Sequence, residues 1–153
     1  MNWENELMDV AKLTVSYLLA LPVGWYREKE AHSVGVRTFP VVAMASCGFI
    51  LLGGGWGMDA RSRVLQGLVA GIGFVGAGAI LKSESQVHGT ATAASIWNIA
   101  AVGAAVALEH YLVAVSLALL NLFTLRALLP VKQAINQEAG GPPASPARRG
   151  RDD

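Results

Sequence analysis

Apolar residues gather into five long tracts, Leu7 to Trp25, Thr38 to Trp56, Val64 to Leu81, Thr90 to Leu108 and Tyr111 to Pro130, and most charges fall between them. A spanning helix needs about 20 mostly apolar residues, because a rise of about 1.5 Å per residue has to cover about 30 Å of hydrocarbon. Each tract comes close to that length. The pattern therefore predicts an all-α chain, a polytopic membrane protein built as a bundle of about five transmembrane helices. The second and third tracts carry no charge. The first opens with Asp9 and Lys12, one turn apart and able to pair or to reach the interface, and has Pro22 near its end. A polar amphipathic lead-in is the rival reading of that tract. The expected division is a helical domain over residues 1–132 and a flexible cytoplasmic tail over 133–153. From Glu138 the chain reads "EAGGPPASPARRGRDD", too poor in apolar surface to order itself.

Composition supports the membrane reading. Of 153 residues, 53% are hydrophobic and 15% charged, with a net charge of +1, a balance unusual for a soluble domain of this size. Loop charge sets the expected orientation, since Lys and Arg accumulate on the cytoplasmic side. With the N-terminus outside, the inner segments hold Arg27, Lys29, Arg37, Lys82, Arg126 and Lys132 together with the tail arginines, and the outer segments hold only Arg61 and Arg63. The acidic start "MNWENELMD" lacks the basic region of a signal peptide, so the first helix is expected to be retained. A single cysteine, Cys47, leaves no intrachain disulfide or thiolate metal cluster to form.

The third tract contains Gly71-Ile72-Gly73-Phe74-Val75-Gly76, a literal match to the G-x-G-x-x-G phosphate-binding pattern. That pattern needs a strand before it, a helix after it and an acidic residue about 20 positions on. Here it lies inside an apolar run whose only strongly polar member is Gln66, with no Asp or Glu between Glu84 and Glu109. On a helical wheel Gly67, Gly71, Gly73 and Gly78 share one broad arc with Ala70 and Ala77, interrupted by Phe74 and Leu81. Lipid tails are as apolar as leucine, so small residues that permit close backbone approach are what bring membrane helices together. The arc reads as a packing seam, near the centre of the bundle or at a dimer interface. Gly76 falls on the bulky side with no assigned role. In the fourth tract Asn98 lines up with Ala94, Ala101 and Ala105, near mid-membrane. Its amide must find partners there, as interhelical glue of roughly 1 kcal/mol or as a polar element of a pathway.

Between the first two tracts runs "GWYREKEAHSVGVRTFP", Gly24 to Pro40, the densest mixture of charge in the chain. Arg27, Glu28, Lys29 and Glu30 alternate in sign, as a solvated helix end does. Arg37 and Thr38 stand at the mouth of the second helix, where an arginine fork suits a carboxylate or an anionic headgroup. Four stretches occur in order: Gly24-Trp25-Tyr26-Arg27-Glu28, Gly35-Val36-Arg37-Thr38, Gly71 through Gly78, and Thr92-Ala93-Ala94-Ser95-Ile96-Trp97. Together they resemble the signatures of the MgtC/SapB/YhiD membrane protein family, over about half of the chain. The resemblance implies a bacterial inner-membrane protein of about five helices. It also implies links to growth in low magnesium, survival inside host cells and restraint of the F-type ATP synthase. It points to Arg27, Glu28, Arg37 and Thr38 as the functional loop. Two features depart from the magnesium-linked virulence members. Ala91 and Asn98 stand where those carry Asn and Cys, and the chain resembles the compact branch, expected to lack the cytoplasmic regulatory domain into which those continue.

No enzyme is expected. His32, His88 and His110 lie in three different loops, and one Glu84/His88 pair at helical spacing is too little for a metal site. No cofactor and no nucleic acid is expected. The partners expected are the lipid bilayer, a second copy of the chain and a membrane protein. A magnesium pathway would gather carboxylates, and none lies deep in the four later tracts. The leading function is therefore a small regulator or interaction protein in ion and energy homeostasis. An oligomeric transporter or channel for an ion, Mg²⁺ included, or a small solute is the alternative.

Overall fold

The computed structural model of the protein describes residues 3–31, 35–82 and 87–138. Its elements are α1 (Trp3–Ala31), α2 (Thr38–Leu52), a 3-10 turn (Gly53–Gly55), α3 (Met58–Gly78), a minimal hairpin of β1 (Leu81–Lys82) and β2 (Val87–His88), α4 (Thr90–Ala107) and α5 (Tyr111–Glu138). The two short strands pair antiparallel, Leu81 opposite His88. The fold is all-α, and its five helices follow the five apolar tracts. Residues 1–122 form one compact unit and 123–153 a second, whose described part is the C-terminal portion of α5. The expected flexible tail lies mostly outside the described residues. Within them, α5 continues six residues past the boundary expected at 132.

Four helical segments are long and apolar enough to cross a membrane: Trp3–Glu30, Thr38–Gly55, Thr90–Ala107 and Tyr111–Pro130. The third tract, although it carries no charge, is not among them. Its helix begins earlier than the apolar run, taking in Asp59, Arg61 and Arg63 ahead of Gln66, and its five glycines add length with almost no hydropathy. The first tract is stronger than its charges suggested, because α1 runs unbroken past Pro22 to Ala31. The charged stretch after Trp25 is thus the last two turns of α1 rather than a loop.

The centre of the first unit is α4, not α3. Ile96, Ile99, Val102 and Val106 on α4 are fully buried or nearly so, as are Phe39 and Ala43 of α2 and Val23 of α1, two helices that α4 packs against. The close approach comes at Gly103, where an added Cβ would overlap the Ala43 carbonyl oxygen and lie 3.1 Å from the Ala43 Cα. Such backbone-to-backbone contact is what a small residue permits between membrane helices. Gly89 is the second obligatory glycine. It holds φ 86 ahead of α4, and a Cβ there would overlap the Ala79 carbonyl oxygen.

The glycine arc expected on α3, at the bundle centre or at a dimer interface, does not pack against another described helix of this chain. Around Gly67, Gly71, Gly73 and Gly78 a Cβ would meet nothing within 4 Å. The face of α3 that packs is formed by Ile72 and Gly76, where an added Cβ would lie 3.4 Å from the Ala93 carbonyl oxygen of α4. The glycine that the wheel left without a role is the one used.

Candidate functional site

The charged end of α1 is tied to two other elements. The Arg27 guanidinium donates from Nη1 to Glu30 Oε2 at 3.0 Å and from Nη2 to Thr92 Oγ1 on α4. Tyr26 Oη donates to the other Glu30 oxygen at 2.6 Å. Arg27 is 8% exposed and Thr92 3%. A planar fork with several fixed donors suits such a junction, because one side chain can bridge two helices without a second charge. Arg27 Nε is buried and makes no hydrogen bond.

Glu28 turns the other way and accepts the Val36 backbone N–H at 3.1 Å, fixing the approach to α2. That bond needs the chain to press against α1, and two glycines make room. A Cβ on Gly35 would lie 2.6 Å from the Glu28 backbone nitrogen, and one on Gly24 would lie 3.0 Å from the Gly35 carbonyl oxygen. The stretches Gly24 to Glu28 and Gly35 to Thr38 are therefore two halves of one packed corner. Arg37 differs from its companions. It is exposed at the N-cap of α2, makes no side-chain cap and has no ion pair among the described residues, while Thr38 is half-buried beside it. The expected functional loop thus divides into Arg27 and Glu28, which hold the corner, and Arg37, which projects from it. Lys29 lies over the Trp25 ring, 5.2 Å from its centroid.

Asn98 is bonded to a neighbouring helix. Asn121 Nδ2 on α5 donates to Asn98 Oδ1 at 3.3 Å, and Ser95 Oγ donates to Asn121 Oδ1 at 3.0 Å. Asn121 was not singled out in the sequence. Its place beside Ser95 and Asn98 depends on the rotation of α5 against α4, which no pattern in either tract specifies. Gln66, expected as a second intramembrane polar group, is exposed on α3 only three residues past Arg63.

At the opposite end of the unit, Lys12 pairs not with Asp9 but with Glu109 in the turn between α4 and α5, at 2.7 Å. Glu109 adopts φ 64, a left-handed backbone rare for a residue with a side chain. The hydrogen bond from the Lys12 ammonium, reinforced by its charge, holds the Glu109 carboxyl below the usual carboxylate range. A depressed carboxyl contributes stability above its unfolded pKa, about 4.3, and loses it as the pH falls through the lower folded value. Glu109→Gln should therefore lower the melting temperature slightly at pH 7, and the difference should vanish on acidification below the carboxylate range. A difference that persists in acid would mean that packing, not the ion pair, holds the turn. His88 and His110 flank opposite ends of α4, and His32 and Glu84 lie outside the described residues. Among the described residues no three His, Cys, Asp or Glu side chains come together as a metal-binding group.

Comparison with known proteins agrees with this architecture. The profile of the MgtC family matches residues 13–134. Protein SrpB of Synechococcus elongatus is 34% identical over 110 residues, 62% of this chain and 60% of that protein. Protein MgtC of Salmonella typhimurium is 31% identical over 128 residues, 84% of this chain and 55% of that protein. Protein MgtC of Brucella abortus is 36% identical over 104 residues, 67% of this chain and 44% of that protein. The chain thus spans about half the length of these relatives. No solved structure matches. The profile covers α4, which forms the core, and both halves of the Gly24 to Thr38 corner; with the multi-pass helical architecture, this makes the chain a member of the MgtC family.

Proposed function

We propose that this protein is a non-enzymatic regulator in a bacterial inner membrane, acting on magnesium and energy homeostasis by binding membrane partners. In this reading the N-terminus is outside and the C-terminus cytoplasmic, with Arg37 at the cytoplasmic boundary. The observation that carries it is the uncovered glycine face of α3. Gly67 and Gly71, with Val41, Ala45 and Phe49 of α2, line an open apolar groove of about 520 Å³. Small residues on an open groove between helices suit a further membrane helix, and a second copy of the chain is the first occupant to test. The bonding of Ser95, Asn98 and Asn121 to one another favours glue over a conducting path, because polar groups that satisfy each other are not left to coordinate a passing ion.

Two measurements test this. Gly71→Leu should reduce self-association in lipid while leaving the melting temperature of the detergent-solubilised monomer unchanged; Gly76→Leu should lower that temperature. Equal behaviour of the two would remove the interface from α3. Purified protein in liposomes should give no Mg²⁺ flux above protein-free vesicles. Flux at meaningful rates would instead favour the oligomeric transporter.

A further inference from the structure

The end of the unit opposite Arg27 holds a cavity of about 640 Å³ that the proposed regulation does not use. It lies where the first part of α1, the glycine turn after α2, the start of α3 and the α4–α5 turn converge. Four charged side chains line it: Asp9, Lys12, Arg61 and Glu109. Two of them, Lys12 and Glu109, neutralise each other. The other two do not. Asp9 is half-buried and makes no hydrogen bond or ion pair to another described residue, although its charge acts on the Lys12 ammonium one turn away. Arg61 uses Nη2 to hold the Gly54 carbonyl oxygen at 2.9 Å, which fixes the guanidinium at the rim and leaves its remaining donors. The cavity thus offers one carboxylate without a hydrogen-bonded partner among the described residues and one guanidinium with donors to spare. Its floor includes Gly54 and Gly55, and around Gly55 a Cβ would meet nothing within 4 Å, so a ligand can come close to backbone there. The left-handed backbone at Glu109 turns a carboxylate onto Lys12 at the cavity edge, and a strained residue at a cleft is a pointer to function.

We propose that this cavity binds a zwitterion of the phosphoethanolamine type, its primary ammonium on Asp9 and its phosphate on Arg61. A primary ammonium can donate hydrogen bonds to a carboxylate, and a guanidinium fork matches phosphate oxygens. The cavity lies at the ends of three membrane-spanning segments, the depth at which phospholipid headgroups sit. The same chemistry is carried by a phosphatidylethanolamine headgroup and by soluble phosphoethanolamine.

Native mass spectrometry of the full chain, offered phosphatidylethanolamine, phosphatidylcholine or phosphatidylglycerol of equal chain length, tests the recognition. Phosphatidylethanolamine should be held about tenfold more tightly than either, since choline cannot donate to Asp9 and glycerol carries no cation. Competition by soluble phosphoethanolamine identifies a headgroup site open to either source; binding of the lipid without competition assigns the lipid, and binding of the soluble compound alone assigns the solute. Arg61→Gln should weaken all phosphate-bearing ligands, and Asp9→Asn should erase the preference for ethanolamine over choline. Arg63→Gln, outside the cavity, should change neither. Equal retention of all three lipids, with no binding of phosphoethanolamine, overturns the proposal even if the variants fold poorly. So does a preference that survives Asp9→Asn.

Discussion

Gly103→Leu is expected to leave almost no folded protein in the membrane, and even Gly103→Ala should be severely destabilising. At this position a Cβ would overlap the Ala43 carbonyl oxygen and stand 2.9 Å from the Ala43 carbonyl carbon. The obstacle is backbone in a buried stretch of α2, so no neighbouring rotamer can change to relieve it. Overpacking a core commonly costs about 1–3 kcal/mol where side chains can adjust. Here two helices must separate, which places Gly103→Ala near the top of that range and Gly103→Leu beyond it. Because the clash is with main chain, Ala43→Gly should not rescue either variant. The controls are Gly67→Ala and Gly78→Ala, around which a Cβ meets nothing within 4 Å. Fluorescence-detected size exclusion after heating would read all four. If Gly103→Ala and Gly67→Ala melt alike, α2 and α4 do not meet at Gly103.

Arg27→Ala should be the second large loss, and for a different reason. The substitution strips Glu30, 19% exposed at its side chain, of its cation and leaves Thr92 without its link to α1. Removing one partner of a buried ion pair costs about 3–5 kcal/mol, because the remaining charge stays desolvated, and partial exposure places this pair toward the lower figure. Arg27→Lys keeps the charge but cannot reach Glu30 and Thr92 with one planar group, so it should recover only part of the stability. The double variant Arg27→Met/Glu30→Gln should be more stable than Arg27→Ala, since neither charge is then left alone. Arg37→Ala is the contrast. Its exposed side chain has no ion pair among the described residues, so abundance and melting should hold while the magnesium-linked role proposed above is lost. An abundant, inactive Arg27→Met/Glu30→Gln variant would instead make the buried corner itself the functional element.

The corner shows how far the sequence could be read. Gly24, Arg27, Glu28, Gly35 and Arg37 were visible as two short motifs, and their residue types suggested anchoring or recognition. What could not be seen was the division of labour. Glu28 reaches Val36, eight residues on, and Arg27 reaches Thr92, sixty-five residues on. Nothing in the alternation of Arg27, Glu28, Lys29 and Glu30 says which member turns inward. Asn98 was similarly half-legible: an amide in an apolar tract requires a partner, and the tract does not name Asn121.

Hydropathy alone determined the class of this protein and the number and order of its five helices, though not their ends, since a chain with apolar tracts of this length has few ways to satisfy its backbone in hydrocarbon. Tertiary structure decided which small residues touch. On α3 the wheel assembled Gly67, Gly71, Gly73 and Gly78 into one arc, yet Gly76 is the glycine that meets α4, and the closest approach belongs to Gly103. In a soluble helix the polar face marks the outside, whereas in a membrane lipid and protein present the same apolarity and the periodicity has nothing to distinguish. Which side of a glycine-rich helix faces inward is set by the shapes of its neighbours, here Ala43 against Gly103 and Ala93 against Gly76, and those pairings exist only once the helices have assembled.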